Sequence, residues 1–345
     1  MQRWYRIGDV PQGWGPSAVT LGNFDGVHRG HQAVLERLTA QARARGLRCV
    51  AVTFDPHPVA VVQPHRAHAA LATLAHRLRL LGAAGVDATL VMEFTTELAA
   101  WSPKRFVAEV FAASLDARLV VVGQDMRFGH RNSGDTSTLA ELGREFGFEV
   151  DVVADLGGQV ADLGRPAVSD GSPEAFGRAP ARRWSSTWVR ERVAEGSVDE
   201  AAEVLGRPHR MTGLVVHGDH RGRQLGFPTA NLAPDAVGVV PADGVYAGWL
   251  VRQQGCDGPD RTRLPAAVSV GTNPTFAGTG RRVEAHVLDR DDLDLYGETV
   301  VVEFVRRLRP MVRFSGVAEL LAQMHEDVRV ARTVLGVPEP ATDRA

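Results

Sequence analysis

The chain has 345 residues, 44% of them hydrophobic, 23% charged and 6% aromatic. That length exceeds the usual reach of one hydrophobic core and predicts two domains, while the composition excludes disordered and fibrous classes. A formal net charge of -2 excludes a global drive toward nucleic acid or anionic membrane and favours small anionic ligands.

From Ser17 to about Val153, short β-rich runs alternate with helical patterns. AVTL is followed by HQAVLERLTAQARARG, then CVAVTF, then a helix near Leu71 to Leu81. The alternation continues through DATLVMEF, SPKRFVAEVFAASL, LVVVG, TLAELGREFG and FEVDVV. Near-continuous apolar strands between helices predict a parallel sheet covered on both faces, with ligands at the carboxyl ends of its strands. Gly157 to Arg183, rich in Gly, Pro, Ala and Arg without a period, reads as a long surface loop. SSTWVRERVAEG and DEAAEVLGRP then close the first domain, so the boundary falls near Gly206 and Pro208, giving domains of 1–205 and 206–345. Beyond it, RMTGLVVHG, GVYAGWLVR, LPAAVSVG, RRVEAHVLD and ETVVVEFVRRL predict an antiparallel barrel or sandwich. SGVAELLAQMHEDVRVARTVL predicts a closing helix, with Ser315 as its candidate cap.

The only cysteines, Cys49 and Cys256, are far apart and outside any metal-ligand spacing, which predicts a reducing, cytoplasmic setting. The opening MQRWYRIGDV lacks a signal-peptide apolar core, and no stretch approaches the roughly 20 apolar residues of a membrane span. A soluble, unexported protein is expected. Lys104 is the only lysine and no GxxxxGK[ST] run exists, so ATP chemistry here must use backbone amides, His, Arg, hydroxyls and a metal.

The strongest motif is LGNFDGVHRGHQAVL, running from a strand through a glycine-containing turn into a helix. His28 and His31 are three apart, so at the mouth of that helix both imidazoles share a face beside unpaired backbone amides and the positive dipole end. Fixed donors at such a corner suit a phosphate that gains charge in a transition state. The plain alternative makes one histidine a turn cap and leaves the other exposed; the strand-turn-helix context with Asn23, Asp25 and Gly26 favours function.

GNFDGVHRGH resembles the HxGH signature of nucleotidyltransferases, in the form seen in bacterial bifunctional riboflavin kinase/FMN adenylyltransferases. That resemblance implies a Rossmann-like N-terminal nucleotidyltransferase domain followed by a riboflavin kinase β-barrel with a closing helix. It implies that Gly22, Asn23, Phe24, Asp25 and Gly26 cradle the nucleotide. TFDPHP is similar to the family's second segment, where Phe54, His57 and Pro58 would line the nucleotide and flavin cleft. VVGQDMRFGHRNSGD resembles its third, with Asp125 and Arg127 facing ligands, Gly129 and Gly134 giving turns, and Met126 in place of the usual aromatic. SSTWVR resembles its fourth, placing Ser185, Ser186, Thr187 and Arg190 near the ATP phosphates; alone it would read as a helix cap. The implied reaction is attack of an FMN phosphate oxygen on the α-phosphorus of ATP, with charge neutralised by His28, His31, Arg190 and magnesium. The nucleophile is already ionised, so no general base is required.

GLVVHGDHRGRQLGFPTANL resembles the phosphate and metal segment of riboflavin kinases. Gly213, Gly218, Gly222 and Gly226 would allow close backbone approach, with Arg223 and Pro228 in the same ligand-binding segment. Thr229 and Asn231 would supply the neutral oxygens that magnesium accepts beside ATP oxygens. In the similar segment VEAHVLDRDDLDLYG, Glu284 is the candidate general base for the riboflavin 5′-hydroxyl. The resemblance runs from about Ala18 to Leu335 and implies riboflavin, FMN, FAD and ATP as ligands, with no nucleic acid and no membrane. An adenylyltransferase whose barrel only senses flavin is opposed by PTAN and Glu284, and a flavin carrier by the paired histidines. Arg178, Arg182, Arg183, Arg190 and Arg192 read as a solvated basic loop rather than a nucleic-acid surface. The oligomeric state stays open, a homo-oligomer included.

Overall fold

The computed structural model describes residues 1–155, 157–158, 182–218, 225–252, 262–272 and 281–339. The chain forms two compact units, Met1–His68 with Leu74–Ser185, and Ala69–Thr73 with Ser186–Ala345.

In the first unit, strands β1 (Gln2–Trp4), β2 (Ser17–Leu21), β3 (Arg48–Asp55), β4 (Ala88–Glu93), β5 (Ala117–Gly123) and β6 (Glu149–Val153) form one sheet. Its order is β1-β4-β3-β2-β5-β6 and every pairing is parallel, as the alternating pattern predicts. All five positions of β2 are buried, which is why its sequence lacks a period of two. Helix α1 (Arg29–Arg45) packs Leu35, Leu38, Thr39 and Ala42 inward at helical spacing and stops at Gly46, whose φ of 63° suits the left-handed cap. Further helices are α2 (Pro58–Val62), α3 (Leu74–Ala83), α4 (Thr96–Ala99), α5 (Pro103–Phe106) and α6 (Thr136–Phe146). The single helix expected over SPKRFVAEVFAASL widens after α5 into a π-helix over Val107–Ser114, which buries Val107, Val110 and Phe111. From β2 the chain moves to β3 on one side, whereas β5 lies on the other; the crevice at their carboxyl ends is the switch point where such sheets bind ligands. A short ribbon, β7 (Gly157–Gly158) with β8 (Arg182–Arg183), flanks residues 159–181, so most of the expected loop lies outside the described residues.

In the second unit, α7 (Ser186–Glu195) and α8 (Val198–Leu205) precede β9 (His209–Val216), β10 (Ala230–Leu232), β11 (Gly244–Arg252), β12 (Arg263–Thr272), β13 (Arg281–Val287) and β14 (Thr299–Arg309). The strands close a barrel in the order β10-β13-β12-β11-β14-β9, all antiparallel, which decides between barrel and sandwich. Tyr246, Leu250, Val268, Val302 and Phe304 fill it, and Val198 of α8 joins that core. α7 and α8 therefore pack with the barrel, although the sequence reading put them at the end of the first domain. Helix α9 (Val317–Leu335) is tied on by Arg309, which donates to both Asp327 oxygens at 2.8 and 2.7 Å. Its N-cap is Gly316 rather than the expected Ser315, whose amide and hydroxyl instead donate to the Glu319 carboxylate at 2.9 and 2.7 Å. Among the described residues no helix is long and apolar enough to cross a membrane.

Candidate active sites

In the first unit the chain leaves β2 through a tight loop before α1. Phe24 (φ 48°), Gly26 (φ 77°) and Val27 (φ 39°) all adopt the left-handed region, which is disfavoured for Phe and more so for β-branched Val. A turn bond from the Val27 amide to the Phe24 carbonyl (3.1 Å) and a bond from the Gln32 amide side chain to the Val27 carbonyl (2.8 Å) hold that shape. His28 is the N-cap of α1, its Nδ1 accepting from the His31 amide at 3.4 Å. The two imidazoles stack with centroids 3.7 Å apart and planes at 23°, and Phe24 lies edge-on to His31. Gly30 makes this possible, since a Cβ there would lie 3.1 Å from both the His28 ring and the Trp184 carbonyl oxygen. The histidines thus present a stacked pair at a helix N-terminus, where backbone amides and dipole favour anions.

Beside this loop, also at the carboxyl ends of the strands, opens a cavity of about 1030 Å³. Phe54, Phe94, Phe106 and Phe128 give it an aromatic wall, and Asn23, Pro58 and Arg127 also line it. Met126 is in the hydrophobic core instead. An aromatic wall with cationic side chains such as Arg127 and Arg66 suits a planar ring carrying a phosphate.

The second unit gathers its polar residues on the outer face of the barrel. Along β13, Val283, Ala285 and Val287 are buried while Arg282, Glu284 and His286 alternate outward. The register sets Asn231 of β10 directly opposite Glu284, with Ser269 of β12 on its other side. Thr229 completes the group: the Asn231 amide nitrogen lies 3.4 Å from its hydroxyl. Gly218 must be glycine for packing, because a Cβ would come within 2.6 Å of the Asn231 side chain. His286 donates from Nδ1 to the Pro228 carbonyl (2.9 Å) and meets Phe227 ring to ring, so it braces the segment that carries Thr229. Burial pushes its pKa below the ordinary histidine value, against the opposing pull of that bond and Asp289.

A family model described as FAD synthetase matches residues 10–163, and one described as riboflavin kinase matches 205–335. The Escherichia coli K12 bifunctional riboflavin kinase/FMN adenylyltransferase is 35% identical over 323 residues, 94% of each chain. The chain belongs to this family. The Listeria monocytogenes relative of the same name is also 35% identical, over 91% of each chain. A Streptococcus pneumoniae crystal structure, described as a macrolide-efflux protein, shares the fold with a TM-score of 0.78 and 31% identity, covering 96% of this chain and 98% of that one.

Of the residues that family resemblance singles out, Asn23, Phe54, Pro58 and Arg127 meet at the cavity, and His28 and His31 stack nearby in the loop. Phe24 and Asp25 are buried supports, and a Cβ on Gly22 would press on the Phe24 ring at 3.1 Å. His57 caps α2, its Nδ1 accepting from the Val59 amide at 3.3 Å. Asp125 pairs with Arg183 at 2.6 Å. Ser185 closes the first unit; Ser186, Thr187 and Arg190 begin the second, where Arg190 Nε donates to the Ala69 carbonyl at 3.3 Å. Gly213 faces inward on β9, where its missing Cβ makes room for Ala236, and Gly226 (φ 84°) provides a turn. Gly222 and Arg223 lie outside the described residues. Sequence reasoning passed over Gly30, Gln32, His286 and Arg77. Gly30 was visible in the motif itself; the other three have no local sequence signal, because their partners are backbone carbonyls or distant loops.

Proposed function

We propose that this chain phosphorylates riboflavin to FMN and then adenylylates FMN to FAD with release of pyrophosphate, consuming ATP in each step. The observation that carries this reading is that the two family matches fall on two separate constellations of motif residues, the stacked histidines and the Thr229–Asn231–Glu284 group. We assign adenylyl transfer to residues 1–205 and phosphoryl transfer to 206–345.

In adenylyl transfer, Phe54 and its aromatic neighbours hold the flavin ring while Arg127 orients its phosphate. An FMN phosphate oxygen forms a bond to the α-phosphorus and the bond to the pyrophosphate oxygen breaks. His28, His31 and the first amides of α1 then carry the developing charge, with Asn23 and Gly26 shaping the cradle. In phosphoryl transfer, Glu284 accepts the proton of the 5′-hydroxyl as its oxygen bonds to the γ-phosphorus and ADP leaves.

The Thr229 hydroxyl and the Asn231 amide lie together, and their hard, neutral oxygens fit a magnesium ion shared with ATP phosphates. When bound, that ion would neutralise phosphate charge in the leaving group. No group of three or more His, Cys, Asp or Glu able to hold a metal occurs among the described residues. A reducing, cytoplasmic setting accords with the buried free thiol of Cys49, whose pKa burial raises to about 11.

One incubation with riboflavin, ATP and magnesium, followed by chromatography, tests the whole reading. FMN should accumulate first and FAD after it. Absence of FMN refutes the kinase assignment, and absence of FAD from supplied FMN refutes the other.

A further inference from the structure

We infer that Arg77 is a positioning residue for adenylyl transfer: from α3 it holds the carboxyl ends of β2 and β3, and through them the histidine loop and the Phe54 wall. Its Nη1 donates to the Phe54 carbonyl (2.8 Å), the Asn23 carbonyl (3.1 Å) and the Thr53 hydroxyl (3.2 Å), while Nη2 reaches Asp55 at 3.4 Å. The Thr53 hydroxyl in turn donates to the same Asn23 carbonyl at 3.2 Å. Asn23 and Phe54 both line the cavity, and Asn23 is the last residue before the left-handed Phe24.

Three observations make this more than a core contact. Arg77 is only 5% exposed, and burying a guanidinium is a poor route to stability compared with an apolar side chain of similar volume. Its bonds go to the carboxyl ends of neighbouring strands at the switch point, where placement of the chain decides ligand geometry. Finally, burial lowers the guanidinium pKa, and the charges of Asp55 and of Asp25, itself 4% exposed within the anion-binding loop, oppose that shift, so these carboxylates and Arg77 offset one another where phosphates must approach. Gln32 and the Phe24–Val27 turn hold the far end of the loop; Arg77 holds the near end. A lysine could keep the charge but not the fork that reaches both strands.

The inference rests on the proposed role of the histidines, and the experiment separates the two. Full-length Arg77→Met, Arg77→Lys, His31→Ala and the double variant Arg77→Met/His31→Ala are assayed for FAD formation from FMN, with riboflavin phosphorylation in the same sample as the folding control. A small displacement of catalytic groups costs on the order of 10- to 100-fold, so kcat for FAD should fall by that factor in Arg77→Met. KM values and the kinase rate should stay within about threefold, and Arg77→Lys should recover part of the loss. In the His31→Ala background the same substitution should cost severalfold less than in the wild type, because one of the groups it positions is gone. An unchanged kcat in Arg77→Met, or a loss that persists in full beside His31→Ala, overturns the inference. Normal FAD formation by His31→Ala overturns the histidine assignment instead. Should Arg77→Met lose both activities through misfolding, Arg77→Lys with and without His31→Ala decides by the same comparison.

Discussion

Glu284→Gln tests the kinase chemistry most narrowly. The substitution keeps shape and hydrogen-bonding capacity but removes the basic carboxylate. It sits on the outer face of β13 between Asn231 and Ser269, while Val283 and Ala285 on either side fill the core, so no core volume changes. Stability should therefore shift by no more than about 0.5 kcal/mol. Positioned acid-base groups contribute on the order of 10²- to 10⁴-fold, equivalent to roughly 2.7 to 5.5 kcal/mol of barrier. The rate of FMN formation, measured by chromatography at saturating riboflavin and ATP, should fall within that range, and FAD formation from supplied FMN should not change. A variant that phosphorylates riboflavin at the wild-type rate would make Glu284 a strand residue without a chemical role and refute the mechanism.

His28→Ala with His31→Ala should abolish FAD formation yet leave FMN formation intact; equal loss of both in a folded protein would contradict the assignment. Thr229→Ala and Asn231→Ala should slow the kinase step, with partial recovery as magnesium is raised and none for Glu284→Gln, read from activity against magnesium concentration. The pKa of His286 is lowered in the fold, so the unfolded state takes up its proton first. Its contribution to stability is complete above about pH 6.5 and is lost as pH falls from there through the folded value. The thermal unfolding temperature should fall as pH drops across that window, and His286→Gln should flatten the dependence.

Much of the fold could be read directly because its strands and helices carry strong periods. The β13 run Arg282–His286 shows the alternation that points Glu284 outward, and β2 shows the apolar continuity of a central parallel strand. The elements that escaped are those with the weakest local signal. β1 has three residues, and β10 is equally short, placed by pairing with β9 and β13 rather than by its own pattern. The π-helix hides inside an ordinary helical run because its apolar residues still face one side. At the candidate sites, the positions of His28 at the mouth of α1 and of Glu284 on an outward place in β13 were legible by order and spacing. Their supports were not: Arg77 lies 54 residues from Asn23 in sequence, and His286 meets Pro228 across 58. For Asp125 too the motif could not show its partner, since Arg183, which pairs with it, is distant in sequence.

The two constellations answer one constraint in different ways. The only lysine, Lys104, pairs with Glu145 at 2.5 Å, so the ammonium that a P-loop would aim at phosphate is engaged on α5 and α6. What remains is a choice set by the nucleophile. An FMN phosphate arrives charged, so adenylyl transfer needs donors fixed in advance, and on the proposed assignment the helix mouth with its stacked imidazoles supplies them without a carboxylate that would repel the incoming anion. The one carboxylate in that loop, Asp25, is buried and faces the charge of Arg77. A riboflavin hydroxyl arrives neutral and must lose a proton, the task proposed for Glu284, which the barrel register sets opposite Asn231, itself close in sequence to Thr229. Under the proposed assignment a glutamate between the histidines would oppose both anionic reactants, so the adenylyl site cannot borrow the carboxylate that the kinase site is proposed to use.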